Sequence, residues 1–105
     1  MIARIWTART TPAQAPNYAD YLQAHVMPEL RSIDGYERAL LLQRQDGAIV
    51  EVQVITFWRS LEAIRAFAGA DVEAAVVTSD AAALLTDYDR RARHYTIVLR
   101  DPDAA

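Results

Sequence analysis

The run DGYERALLLQRQDGAIVEVQVITFW, residues 34–58, constrains the fold more than any other part of the chain. Two β-rich stretches flank Asp46-Gly47, a pair suited to the two-residue turn of an antiparallel hairpin because both residues tolerate positive φ. A lone hairpin is marginal in water and needs further strands or a covering helix. The flanking sequence supplies both. Met1 to Ala8 alternates as a strand, and RRARHYTIVLR, residues 90–100, reads as the last one. TPAQAPNYADYLQAHVMPELRS, residues 11–32, is helical: Thr11 can cap it, and Pro12 or Pro16 suits its first turn. Tyr18, Tyr21, Leu22, Val26 and Leu30 form its apolar face, and Pro28 is expected to loosen its last turn. After Trp58, Ser60 caps a helix that Gly69 ends. Asp71 is expected to cap another short helix, and Ser79 or Asp80 a third near Leu84 and Leu85.

The order β-α-β-β-α-β predicts an α+β chain: a ferredoxin-like split βαβ sandwich with an antiparallel four-stranded sheet and helices on one face. A two-residue loop at Asp46-Gly47 sets Leu41 opposite Val52 and Ala39 opposite Val54, so Val50, Val52, Val54, Leu41 and Ala39 form the helix-covered face. The other face carries Glu51, Gln53, Ile55 and Phe57 with Leu42, Leu40 and Arg38. Ile2, Arg4 and Trp6 are assigned to that mixed face, as are His94, Thr96 and Val98 of the last strand. Such a face is too apolar for water and too charged for a dry core. A second subunit laid sheet to sheet satisfies both, with Arg4 or Arg38 pairing Glu51, and predicts a homodimeric α/β barrel.

At 105 residues the chain has room for one core. The reading is a single domain over 1–99 with a polar tail at 100–105. Net charge is −3, and all eleven basic side chains are arginines without a basic stripe, which argues against nucleic acid as a partner. There is no cysteine, so thiolate chemistry and Cys-ligated metals are excluded. No apolar run approaches the roughly 20 residues that span a bilayer, and the N-terminus is not a signal-peptide core, so the chain reads as a cytoplasmic protein without a membrane partner. Gly35, Gly47 and Gly69 lie too far apart for a phosphate loop, and Ser60 has no glycine elbow around it. Asp71, Glu73 and Asp80 have no histidine near them and form no metal set.

MIARIW at the start, GYERALLLQR and FWRSLEAIRAFAG in the middle, and DYDRRARHYTIV at the end resemble the antibiotic biosynthesis monooxygenase superfamily over nearly the whole chain. The resemblance rests on Trp58, Ser60, Ile64 and Phe67, and implies a ferredoxin-like subunit in a dimeric α/β barrel. It also implies one pocket per subunit between helices and sheet. Members of that superfamily include cofactor-independent oxygenases of polycyclic phenols and quinols, and haem-degrading monooxygenases. The haem-degrading pattern carries an Asn, a Trp and an iron-ligating His where this chain has Thr7, Phe67 and Val77. That departure argues against haem degradation.

The resemblance then implies an oxygenase without cofactor or metal, acting on a flat aromatic or polyketide-like molecule. Such chemistry needs an apolar pocket, a base that forms an electron-rich anion, and donors for the developing oxyanion. His25, one turn after Tyr21 with Glu29 beyond it, and His94 on the last strand are the two candidate bases. The resemblance puts Thr7, Tyr21, Trp58 and Phe67 around the pocket. Tyr21 can also donate to an oxyanion, while Trp58 and Phe67 read first as packing residues, Phe67 being able to stack a flat ligand. A ligand-binding dimer without turnover, or an isomerase, cyclase or lyase in the same pocket, are the other readings.

Overall fold

A computed structural model describes residues 1–103, so the last two residues of the expected tail lie outside the described residues. The elements are β1 (Ile2–Thr10), α1 (Ala15–Tyr21), a π-helical turn (Leu22–Val26), α2 (Met27–Arg31), β2 (Tyr36–Asp46), β3 (Ile49–Trp58), α3 (Leu61–Ala68), α4 (Ser79–Ala83), β4 (Asp87–Tyr88) and β5 (Arg93–Thr96). The sheet order is β2-β3-β1, and the broken edge position beyond β1 is shared by β4 and β5. All pairings are antiparallel, as expected for a ferredoxin-like α+β fold. Among the described residues, no helix is long and apolar enough to cross a membrane.

The hairpin closes two residues away from the expected register. Asp46 pairs with Ile49, leaving Gly47 at φ 64° and Ala48 as the turn, and Leu41 faces Val54 instead of Val52. A shift of two preserves side-chain parity, so both hairpin faces are as expected. Val50 and Val52 are buried beneath the helices, whereas Leu40 and Leu42 remain exposed on the other side.

The expected phase of β1 and β5 is reversed. Arg4 pairs with Thr56, Trp6 with Val54 and Ala8 with Val52, so Ile2, Arg4 and Trp6 belong to the helix-covered face. His94 pairs with Arg4 and Thr96 with Ile2, which takes both to that face too. The open face instead receives Ile5, Thr7, Arg93 and Tyr95. Both phases of β1 mix apolar and polar residues, so alternation alone does not choose between them. The choice follows packing: Ala8, with no accessible surface, lets the helix layer approach the sheet.

Pro28 explains the π-helical turn. A proline cannot donate to the carbonyl four residues back, and its ring crowds that carbonyl. The helix widens just before it, with the Met27 N–H reaching Leu22 O, a five-residue step. Asp71 starts no helix; residues 71–78 run as an irregular strap whose Ala74 bridges Arg91. Thr78, rather than Ser79 or Asp80, caps α4, its Oγ1 accepting from the Ala81 N–H at 3.1 Å. Ser60 caps α3 as expected, accepting from Ala63 N–H at 3.2 Å.

Gly35, at φ 97°, lets the α2–β2 turn sit against α3: a Cβ there would lie 2.5 Å from that of Ala63. Gly35→Ala is therefore expected to destabilise the protein by about 2–4 kcal/mol, through overpacking added to backbone strain. Gly47→Ala, with open space around it, should cost about 1 kcal/mol. Urea unfolding of both variants measures the difference, and equal losses would contradict this packing.

Candidate functional site

An apolar cavity, partly open to solvent, lies between the first helical segment and the sheet, with a volume of about 90 Å³. Trp6, Val54 and Thr56 form its floor, Tyr18, Tyr21, Leu22 and Val26 one wall, Phe67 an end, and Val76, Val77 and Thr78 of the strap its roof. Glu29 stands at the rim, exposed. Two larger hollows, of about 310 and 490 Å³, are open surface depressions. One lies on the open sheet face around Arg38 and Phe57, and the other around Gly35 and Arg59.

The cavity's polar groups differ sharply in how they are satisfied. Tyr21 Oη and Thr78 Oγ1 are 2.6 Å apart, a bond that latches the helix to the strap and occupies the expected oxyanion donor. Thr56 Oγ1 accepts from the Trp58 indole N–H at 2.8 Å. Trp6 donates its indole N–H to the Asp89 carbonyl at 2.6 Å. Tyr18 is only 2% exposed, and its hydroxyl has no hydrogen-bond partner among the described residues. No fully occluded side-chain oxygen or nitrogen among those residues lacks a partner, so this hydroxyl keeps some accessible surface, and its residue lines the cavity. Burial, with Tyr21 close by, raises its pKa well above the ordinary phenol value. It stays protonated and able to donate.

Of the residues named from sequence, Tyr21 and Phe67 line this cavity. Trp58 does not: it is wholly buried beneath Thr56, stacked on Phe67 at 5.9 Å and met edge-on by Tyr36 at 5.4 Å. Thr7 pairs with Gln53 on the opposite face of the sheet and is not a cavity residue. His25 is exposed outside the cavity, its ring 5.1 Å from that of Tyr21. In an unbroken α-helix it would stand one turn above Tyr21 on the cavity side; the π-helical turn advances the phase and hands that place to Val26. His94 lies behind the far end, its Nε2 2.9 Å from Arg4 Nη1. Tyr18, Thr56 and Arg4 are the site groups that sequence reasoning missed, since an apolar stripe and a supposed outward arginine gave no sign of them, and Glu29 is named there only beside His25.

Arg4 is 4% exposed. It donates through Nη1 to Val72 O and through Nη2 to Ala74 O at 2.7 Å, and its guanidinium carbon stands 5.7 Å from the centre of the Phe67 ring. Burial pushes its pKa down to about 10, which leaves it charged at neutral pH. Because arginine can only donate, His94 must be neutral with Nε2 bare and its proton on Nδ1. The residues do not fit a haem: the cavity wall offers no imidazole, thiolate or thioether for iron, and Val77 stands in the roof.

No family model and no curated protein matches the chain. Solved structures do. The haem degrader MhuD of Mycobacterium tuberculosis, with two haems bound in its active site, superposes with a TM-score of 0.60 at 22% identity, over 95% of this chain and 98% of that one. An arginine-to-serine variant of MhuD with two manganese protoporphyrin IX bound per active site gives 0.62 at 22%, over 95% and 97%. A monooxygenase from the gene ActVA-Orf6 of Streptomyces coelicolor, in complex with nanaomycin D, gives 0.52 at 25%, over 67% of this chain and 62% of that one. The fold is the antibiotic biosynthesis monooxygenase fold. Identities this low carry the antibiotic biosynthesis monooxygenase architecture and leave the reaction to the residues themselves.

The Arg4–His94 contact makes a pH prediction. Burial first, and Arg4 second, hold the His94 pKa below its ordinary value, with Glu73 opposing weakly. The folded state therefore resists protonation that the unfolded chain accepts near pH 6.5. Stability should be full above that pH and fall as pH drops through the lowered folded value. His94→Gln should flatten this acid limb in denaturant titrations between about pH 7 and 5. An unchanged limb would remove His94 as its source.

Proposed function

We propose that this protein is a cofactor-independent monooxygenase acting on a compact aromatic molecule with an ionisable hydroxyl, bound between helix and sheet. The observation that carries this reading is the Tyr18 hydroxyl: buried, protonated and without a protein partner in an otherwise apolar cavity. A hydroxyl with so little exposure and no protein partner is free to bond a ligand oxygen. The cavity is well below the roughly 300–1,000 Å³ of sites for drug-sized ligands. At about 90 Å³ it suits a single ring, and a polycyclic molecule would need the π-helical wall to move.

In this mechanism Tyr18 donates to the phenolic oxygen and stabilises the oxyanion, while the phenolic proton leaves through water to Glu29 at the mouth. His25, beside Tyr21 at the same mouth, relays the proton to solvent. The phenolate passes an electron to dioxygen, and recombination forms a C–O bond at a ring carbon bearing hydrogen. Loss of that hydrogen as a proton, with O–O cleavage, yields a quinone and water. The substrate supplies all four electrons, so no external reductant is required.

The absence of an imidazole from the cavity wall favours a second reading, a binding protein without turnover. Oxygen uptake by chelator-treated protein with hydroquinones, catechols and naphthols separates the two. Uptake is expected to fall at least tenfold in Tyr18→Phe while its melting temperature holds, because the hydroxyl removed has no protein partner. No uptake, with the same compounds still raising the melting temperature, would leave the binding protein.

We also infer that a second copy covers the open sheet face, forming the homodimeric barrel that the resemblance implies. Leu40, Leu42 and Tyr95, each more than 40% exposed, sit beside Ile55 and Phe57, with Arg38 stacked 4.9 Å over Phe57. Arg38 and Glu51 can pair across the interface; Arg4, on the other face, cannot. Light scattering at micromolar concentration should give a dimer mass, and Leu42→Arg should give the monomer. A monomeric parent protein would refute the pairing.

A further inference from the structure

Among the buried residues described, Arg4 is the only charged one. Its partners are all neutral: two carbonyls of the strap and the bare Nε2 of His94. The strap's own carboxylates are committed elsewhere, Asp71 and Glu73 both pairing with Arg91 at 2.9 and 3.2 Å. A buried cation without a counter-ion is costly, and hydrogen bonds from neutral acceptors offset that only in part.

The position of this charge matters for the cavity. Arg4 stands directly across the β1–β3 ladder from Thr56, and its guanidinium lies over Phe67. Thr56 and Phe67 are the floor and end wall of the cavity. The charge thus sits one side chain behind the wall, where little water intervenes to screen it. We propose that Arg4 determines the charge specificity of this cavity, selecting aromatic ligands in anionic form, phenolates or aryl carboxylates, over their neutral counterparts. The proposal rests on the cavity being the ligand site, as in the function proposed above. Arg4 is a positioning residue: it acts through the wall without touching the ligand, while the Tyr18 hydroxyl makes the contact. At an effective dielectric of about 20, a unit charge roughly 10 Å away favours an anion by on the order of tenfold.

Two measurements on the 105-residue protein test this. Calorimetry compares benzoate with its neutral isostere benzamide, and absorbance follows the ionisation of bound 4-nitrophenol. Benzoate should bind about tenfold more tightly, and bound nitrophenol should ionise about one pH unit below the free compound. Both effects should persist at about 0.5 M salt, which screens surface arginines but not a buried one. Arg4→Met should abolish both and Arg4→Lys should retain them. Equal affinity for benzoate and benzamide in the parent protein would overturn the proposal even if the Arg4→Met variant failed to fold. So would a preference that vanishes in salt or survives in a folded Arg4→Met variant. Failure of all three probes to bind would instead overturn the cavity as a ligand site, and this proposal with it.

Discussion

The burial of Arg4 is the interaction on which the site depends. Residues 71–78 have almost no regular structure, yet they roof the cavity and their backbone groups need partners. Arg4 reaches out of β1 to two of their carbonyls, while Ala75 N–H bonds Arg90 O at 2.9 Å and Ala92 N–H bonds Glu73 O at 2.7 Å. The strap is therefore sewn to the sheet by one side chain on its inner edge and by backbone bonds on its outer edge. Removing the cation would leave the Val72 and Ala74 carbonyls without these bonds, with the strap held by its outer-edge backbone bonds and the Tyr21–Thr78 latch. A polar strand residue that looked destined for an interface is instead what keeps a wall of the cavity in position.

The opposite wall is shaped by a backbone fault. Pro28 breaks the hydrogen-bond ladder of the first helical segment, and the π-helical turn absorbs the break. One consequence is chemical, since the turn takes His25 out of the cavity and leaves Val26 in its place. Another is mechanical: a segment with widened hydrogen bonding, bounded by a proline, is a wall that can yield. With iron-binding side chains missing and histidines displaced, the available chemistry narrows to hydroxyl donors, a rim carboxylate and a buried positive charge.

The fold divides labour between the two faces of one sheet. The helix-covered face carries both core clusters, one around Tyr18, Val50 and Val52 and one around Trp58, Leu30 and Ile64, and the cavity lies where they meet. The other face has apolar side chains in number, tempered by Arg38, Glu51 and Arg93. Structures of a haem degrader and of a monooxygenase in complex with nanaomycin D share this layout at 22–25% identity. The layout is thus compatible with very different cavity contents, and the residues lining the cavity carry the functional argument.

Local physics in the sequence already determined the element order, the hairpin, the Ser60 cap and the two faces of β2 and β3. The two-residue error at Asp46-Gly47 left those faces intact because strand side chains repeat every two residues. Tertiary structure decided the phase of β1, since Ile2-Arg4-Trp6 and Ala3-Ile5-Thr7 each carry one polar residue among three and only packing of the helix layer against Ala8 separates them. That one choice moved Arg4 and His94 to the cavity side and Thr7 away from it. The fate of each hydroxyl was equally hidden: Tyr21 and Tyr18 read alike on an amphipathic helix, yet one meets Thr78, fifty-seven residues on, and the other meets nothing. Periodicity is written in neighbouring residues, whereas a hydrogen-bond partner or a counter-ion comes from a distant segment, and only folding brings that segment near.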